Sequence, residues 1–150
     1  MSGEPRLSLG RPYRRAQPDA VRATDADALL SRLSACRAGY LPPDAYADML
    51  RGHAEAPHRP PFINIGTYLR ASEVDAHVQH FIETGACGRP YTPAPRVQIV
   101  SLGAGSDTRF WRLRHARLAR YVELDFPSTT SQKAAAIHAH PALRHALEDA

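Results

Sequence analysis

Gly103 and Gly105, in Leu102-Gly-Ala-Gly-Ser-Asp-Thr108, stand directly after the apolar run Arg96-Val-Gln-Ile-Val-Ser-Leu102. Glycine lets a chain turn sharply and lets a ligand approach backbone with no Cβ in the way. At the carboxyl edge of a first parallel strand, such a turn is where a Rossmann-like fold holds a nucleotide. Thr108 occupies the position of the third glycine in the dinucleotide fingerprint G-x-G-x-x-G, which argues against NAD and FAD. A ligand without a pyrophosphate, such as S-adenosylmethionine, remains compatible. The alternative is a plain strand-to-helix turn.

Asp125 adds a second group. It ends the run Arg120-Tyr-Val-Glu-Leu-Asp125, about 20 residues beyond the glycines, where an acid accepts hydrogen bonds from ribose hydroxyls. Its bland role would be to cap the helix after Pro127. Glu123 is the weaker acidic candidate, because strand alternation puts it before the tip.

These residues need positioning elements. The chain has 150 residues, 43% hydrophobic and 23% charged, with net charge +4, enough for one domain. No apolar run approaches the ~20 residues of a membrane span, and the start lacks a secretory pattern. Cys36 and Cys87 are the two cysteines, too few for a disulfide scaffold and suited to a reducing, cytoplasmic setting. The charge comes from arginine, since Lys133 is the single lysine. Residues 1–23, with Arg6, Arg11, Arg14, Arg15 and Arg22 among prolines, read as a disordered basic tail. No aromatic ladder accompanies these arginines, so nucleic-acid binding is not expected.

Thr24 is a candidate N-cap for a first helix with Asp25 and Asp27 at its positive end, Leu29, Leu30 and Leu33 as its stripe, and Gly39 as its stop. Pro42-Pro-Asp44 marks a turn into a short helix from Ala45 to Arg51. Phe62-Ile-Asn-Ile-Gly66 reads as a short apolar stretch, and Thr67 as the cap of a helix to Thr84 with Val74, Val78, Phe81 and Ile82 on one face. Then the period changes. Residues 96–102 read as a buried parallel strand, Phe110 to Leu113 as a short helix, 120–125 as a second strand, and Pro127 as the first turn of a helix that Pro141 interrupts. The resulting organisation is a tail at 1–23, a helical cap region at 24–95, and the first β-α-β-α part of an α/β domain at 96–150.

Four stretches resemble the leucine carboxyl methyltransferases: Val21-Arg-Ala-Thr-Asp25 with Gly39-Tyr40, Phe62-Ile-Asn-Ile-Gly-Thr-Tyr-Leu-Arg70, Gln98 to Leu113, and Tyr121-Val-Glu-Leu-Asp-Phe-Pro127. They run in order from about Val21 to His138. The resemblance implies the N-terminal part of a Rossmann-like, S-adenosylmethionine-dependent methyltransferase fold, preceded by helices and with an incomplete sheet. It implies methyl transfer to the C-terminal leucine carboxylate of the protein phosphatase 2A catalytic subunit, with that subunit's C-terminus as partner and a monomeric chain. Two alternatives stay open: a relative that acts on transfer RNA in wybutosine synthesis, and a non-catalytic phosphatase-binding module. By position, Gly103 and Gly105 match the cofactor glycine turn, Asp125 the ribose-binding acid, and Arg70 the arginine of the Asn-x-Gly-x-x-x-Arg block. Arg32 matches a basic residue of the N-terminal helix, with Arg37 competing for that role.

The arginines suit the chemistry, because a guanidinium grips a carboxylate with a planar fork of donors. The substrate carboxylate is ionised at neutral pH, so no general base and no catalytic residue are expected. Tyr68 and Trp111 are candidates to line the site, though such aromatics more often belong to a core. Among the eight histidines, His77 with His80 and His138 with His140 lack the partners of a familiar zinc spacing, and no metal is expected. The family's sheet has seven strands, so the chain reads as a fragment whose apolar edges favour aggregation.

Overall fold

Asp44 sets the start of a short helix. Its Oδ1 accepts the Ala47 N–H at 3.0 Å, a side-chain N-cap that satisfies one orphan donor of the first turn. In the computed structural model, which describes residues 18–52, 55, 57–85, 96–113 and 115–148, this helix is the second of eight elements. They are α1 (Pro18–Arg37), α2 (Ala45–Leu50), α3 (Pro61–Thr84), β1 (Val97–Leu102), α4 (Arg109–Arg112), β2 (Leu118–Leu124), α5 (Pro127–Ala139) and α6 (Pro141–Glu148). The basic stretch through Arg15, the loop at 86–95 and Cys87 lie outside the described residues.

Two expectations about helices are corrected. α1 begins at Pro18, not behind Thr24. Proline suits a first helical turn, and the Thr24–Asp27 stretch lies inside the helix. Nor does a break separate Phe62–Gly66 from Thr67: α3 is one helix from Pro61, and Gly66 lies within it. Pro61 occupies the N-terminal position where its missing N–H costs nothing, and one interior glycine lowers helix stability by only about 1 kcal/mol. The stops fall where glycine predicts them. Gly39 has φ 78° and Gly85, the C-cap of α3, has φ 72°, the left-handed geometry that glycine adopts without a Cβ penalty.

β1 and β2 pair in parallel, with Ile99 opposite Tyr121 and Leu102 opposite Leu124. The connection between them carries α4, and the whole is an α/β arrangement with a two-stranded sheet. The expectation of a fully buried first strand is corrected. Residues alternate in exposure along both strands. Val100 (58% exposed), Leu102 (75%), Val122 (41%) and Leu124 (51%) stand on the open face, because successive side chains point to opposite faces and only one face is covered.

Three clusters of buried residues hold the elements together. Leu29 and Leu33 of α1 meet Ala47 of α2. Ala35 and Leu41 meet Ala71 of α3. Trp111 and Leu143 pack with Tyr46, Phe110 and Ile137, and the Trp111 indole donates to the Leu143 carbonyl at 3.2 Å. Trp111 is therefore core, whereas Tyr68 is exposed. No described helix is long and apolar enough to cross a membrane.

Candidate functional site

The turn after β1 is built from backbone N–H groups that each find an acceptor. Gly103 and Ala104 donate to the Leu124 carbonyl at 2.8 and 3.3 Å. Gly105 donates to Asp125 Oδ2 at 2.7 Å, Ser106 to Asp25 Oδ1 at 2.7 Å, and Asp107 to the Ala104 carbonyl at 2.9 Å. Gly103 and Gly105 take φ of 64° and 49°, the left-handed region that only glycine enters freely. A Cβ on Gly105 would stand 2.2 Å from Asp25 Oδ1, so both conformation and space require glycine there.

Asp125 follows β2 directly. Its Oδ1 accepts the Phe126 N–H at 2.6 Å while Oδ2 holds Gly105. A carboxylate has about four acceptor positions, so each oxygen keeps capacity for a ligand hydroxyl. Asp125 does not cap α5, whose N-cap is Phe126 with no side-chain bond. Glu123 points to the covered face, where the Lys133 ammonium donates to it at 2.6 Å. Burial pushes the Glu123 carboxyl up from its usual range against the pull of Lys133. Burial and the nearby Asp107 and Glu123 carboxylates likewise push Tyr121 up to about 12.

A cavity of about 650 Å³ opens beside the glycine turn, within the ordinary size of ligand pockets. Arg32, Arg70, Gly103, Gly105 and Asp125 all line it. Arg37, the competitor of Arg32, does not. Arg32 comes from α1, Arg70 from α3, and Asp125 from the end of β2, so the cavity lies where the helical layer meets the carboxyl edge of the sheet. Asp25, Thr67, Ser106 and Arg112 also line it.

Asp44 fixes Arg32. The Arg32 Nε donates to Asp44 Oδ2 at 2.6 Å, and Thr108 Oγ1 donates to the same oxygen at 2.7 Å. The Asp44 side chain is fully buried. Burial raises its pKa, but the hydrogen bonds from Thr108, Arg32 and the Ala47 N–H outweigh that and hold the carboxyl below its usual range. Asp75 of α3 performs the same service for α4. Arg109 Nε reaches it at 2.7 Å and Arg112 at 2.5 Å, and these bonds overcome burial to lower its pKa. Asp107 accepts the Arg109 N–H at 2.9 Å, starting α4.

Sequence reasoning missed Asp25, Asp44 and Asp75 as members of this region. Asp44 carried a signal, an acid directly behind two prolines and before a helix. Asp75 carried a fainter one, an acid beside the apolar stripe of α3. Asp25 was assigned to the helix dipole, and its contact with Ser106 spans 81 residues.

The arrangement suits a ligand with a nucleoside hydroxyl end and a charged amino acid end. Donors and acceptors for both are present, and Gly103, where a Cβ would meet nothing within 4 Å, leaves the backbone open to approach. Among the described residues, no group of three His, Cys, Asp or Glu side chains is placed to hold a metal ion.

The chain is 42% identical to leucine carboxyl methyltransferase 1 of Mycosarcoma maydis, over 89% of this chain and 29% of that protein. It is 44% identical to the protein of the same name from Cryptococcus neoformans, over 81% of this chain and 36% of that one. The Aspergillus fumigatus protein is 41% identical over 88% and 33%. The chain thus spans about a third of the length of the curated relatives it matches. No solved structure matches. The profile of the leucine carboxyl methyltransferase family matches residues 14–148, and with such a span the chain belongs to that family.

Proposed function

We propose that this chain supplies the cofactor-binding part of an enzyme that transfers a methyl group from S-adenosylmethionine to the C-terminal leucine carboxylate of the protein phosphatase 2A catalytic subunit, forming a methyl ester. The observation that carries this reading is the convergence of Arg32, Arg70, Gly103, Gly105 and Asp125 on one cavity. In this reading β1 and β2 begin a Rossmann-like methyltransferase sheet, the helical cap expected at 24–95 starts earlier, with α1 at Pro18, and 96–150 form the first β-α-β-α part. The protein is a cytoplasmic monomer whose partner is the phosphatase C-terminus.

The fit to the cofactor rests on donor chemistry. Asp125 retains acceptor capacity on both oxygens for ribose hydroxyls. Arg70 and Arg32 offer guanidinium forks to carboxylates. When bound, S-adenosylmethionine supplies a methyl group already activated on a sulfonium. A leucine carboxylate is ionised at neutral pH, so the residues have no proton to remove. Their work is alignment, a contribution of up to ~7–11 kcal/mol when reacting atoms are held in line. No catalytic residue is assigned.

A chimera tests this. In it, the chain replaces the matching segment of the Mycosarcoma maydis relative, and labelled methyl transfer is followed to a peptide ending in the phosphatase leucine. Transfer to the peptide, lost in Asp125→Ala, is expected. A folded chimera that methylates transfer RNA instead, or neither substrate, contradicts the proposal.

A further inference from the structure

We propose that Lys133 of α5 is a positioning residue, which holds the far end of the glycine turn from behind and touches no ligand itself; this rests on the cofactor reading above. Lys133 is the single lysine of the chain, and its side chain is buried, with 8% exposed. It does not line the cavity, whereas Asp107 does. The Lys133 ammonium donates to the Asp107 carbonyl at 2.7 Å and to Glu123 Oε2 at 2.6 Å. It also lies 5.4 Å from the centre of the Trp111 ring, within reach of a cation–π contact.

Stability alone gives no reason for a cation at this place. Taking an ammonium out of water is costly, and apolar residues of similar volume commonly serve a fold as well as a buried ion pair does. A methionine would also pack against Trp111. It could not hold a carbonyl. The Asp107 carbonyl is therefore the contact that requires the charge, and a charged donor holds it more firmly than a neutral one would.

The end of β2 shows what that contact completes. The Leu124 carbonyl accepts the N–H groups of Gly103 and Ala104, at the start of the turn. Asp125 accepts the Gly105 N–H, at its middle. Glu123 reaches Asp107, at its end, through Lys133. Three consecutive residues, Glu123 to Asp125, thus fix the start, middle and end of one turn. From Asp107 the chain leads to Thr108, which donates to Asp44, the partner of Arg32. A ligand held by Asp125, the glycine turn and Arg32 together needs all three in one arrangement, and supporting contacts behind the site supply it. Lys133 is the only one of these supports that comes from α5.

Calorimetric titration of the full chain with S-adenosylmethionine, read beside native-state hydrogen exchange, tests the assignment. Lys133→Met with Glu123→Gln removes the cation and leaves no uncompensated carboxylate behind. The double variant should bind S-adenosylmethionine at least about tenfold more weakly, the size expected for losing one hydrogen bond to a charged group. Its Gly105, Ser106 and Asp107 amides should exchange faster while those of α3 keep their protection. Equal affinity in parent and variant overturns the assignment and leaves the cofactor reading intact. So does faster exchange across all elements, which marks a purely structural role. A parent chain that does not bind S-adenosylmethionine overturns both. Should the variant not fold, the parent decides alone. With one lysine in the sequence, isotope labelling of lysine nitrogen gives one ammonium resonance, which should be protected from exchange and should shift when S-adenosylmethionine is added. A freely exchanging ammonium, or one indifferent to bound cofactor, overturns the proposal.

Discussion

Arg32 and Thr108 donate to one oxygen, Oδ2 of Asp44, at 2.6 and 2.7 Å. One buried carboxylate thus ties Arg32 of the helical layer to Thr108 at the end of the glycine turn. Ala47 N–H holds its other oxygen, so Asp44 also starts α2. A side chain that caps a helix, orients a cavity arginine and anchors the end of the turn should be costly to remove.

Asp44→Ala leaves Arg32 without its partner and Thr108 without an acceptor in the interior. Breaking a buried pair from one side costs on the order of 3–5 kcal/mol. Urea denaturation should show a loss in that range, while Asp48→Ala, on the exposed face of α2, should cost under about 1 kcal/mol. Similar small losses for both would mean that Asp44 bridges nothing of consequence.

Acid should unfold the chain through Asp44 and Asp75. Both carboxyls lie below their usual value in the fold, so the unfolded chain binds protons more readily than the folded one. Their contribution is fully present above about pH 4, near the unfolded carboxyl value, and is lost as pH falls through the folded values. Glu123 acts with the opposite sign, because its pKa is raised. Its stabilising share is present at low pH and fades as pH rises through the folded value. Denaturation midpoints at pH 7 and pH 3 should differ less in Asp75→Asn than in the parent. An unchanged difference counts against the pairing of Asp75 with Arg109 and Arg112.

Two glycines should respond oppositely to alanine. Gly105→Ala meets Asp25 at 2.2 Å from a backbone of φ 49°, and forced left-handed geometry costs about 1–3 kcal/mol. Gly66→Ala meets nothing within 4 Å inside α3, and removing glycine from a helix interior gains about 0.5–1 kcal/mol. Thermal melting should therefore fall for the first and rise for the second. A shift of the same sign in both would contradict the geometry of the turn.

The open face of the sheet should make the chain associate. Val100, Leu102, Val122 and Leu124 form an apolar patch on adjacent strands, and such patches drive aggregation when nothing covers them. Val122→Lys with Val100→Lys should lower light scattering at high concentration without altering the cavity, which neither residue lines. Undiminished scattering would place the association elsewhere.

Local signals explain what was legible in the residues. Strand–glycine–helix order, the acid at the tip of β2, the stops at Gly39 and Gly85, and the turn at Pro42-Pro-Asp44 into α2 follow from backbone preference and short spacing. Arg32 and Arg70 were identified through family resemblance, and they line the cavity together with the glycine turn. Helix starts were less legible, because Pro18 and Pro61 read as breakers until they are placed in a first turn. One-sided burial of β1 was hidden, since an apolar strand looks alike whether one face is covered or both. The carboxylate partners were least visible. Asp25 meets Ser106 across 81 residues and Asp44 meets Thr108 across 64, and no local pattern encodes such pairings.

The most direct measurement is calorimetric titration of the chain with S-adenosylmethionine beside its Asp125→Ala variant. Saturable one-to-one binding is expected, weakened at least about tenfold by loss of a charged acceptor. No saturable binding by the folded chain, or equal affinity in the variant, would contradict a cofactor site built on the glycine turn and Asp125.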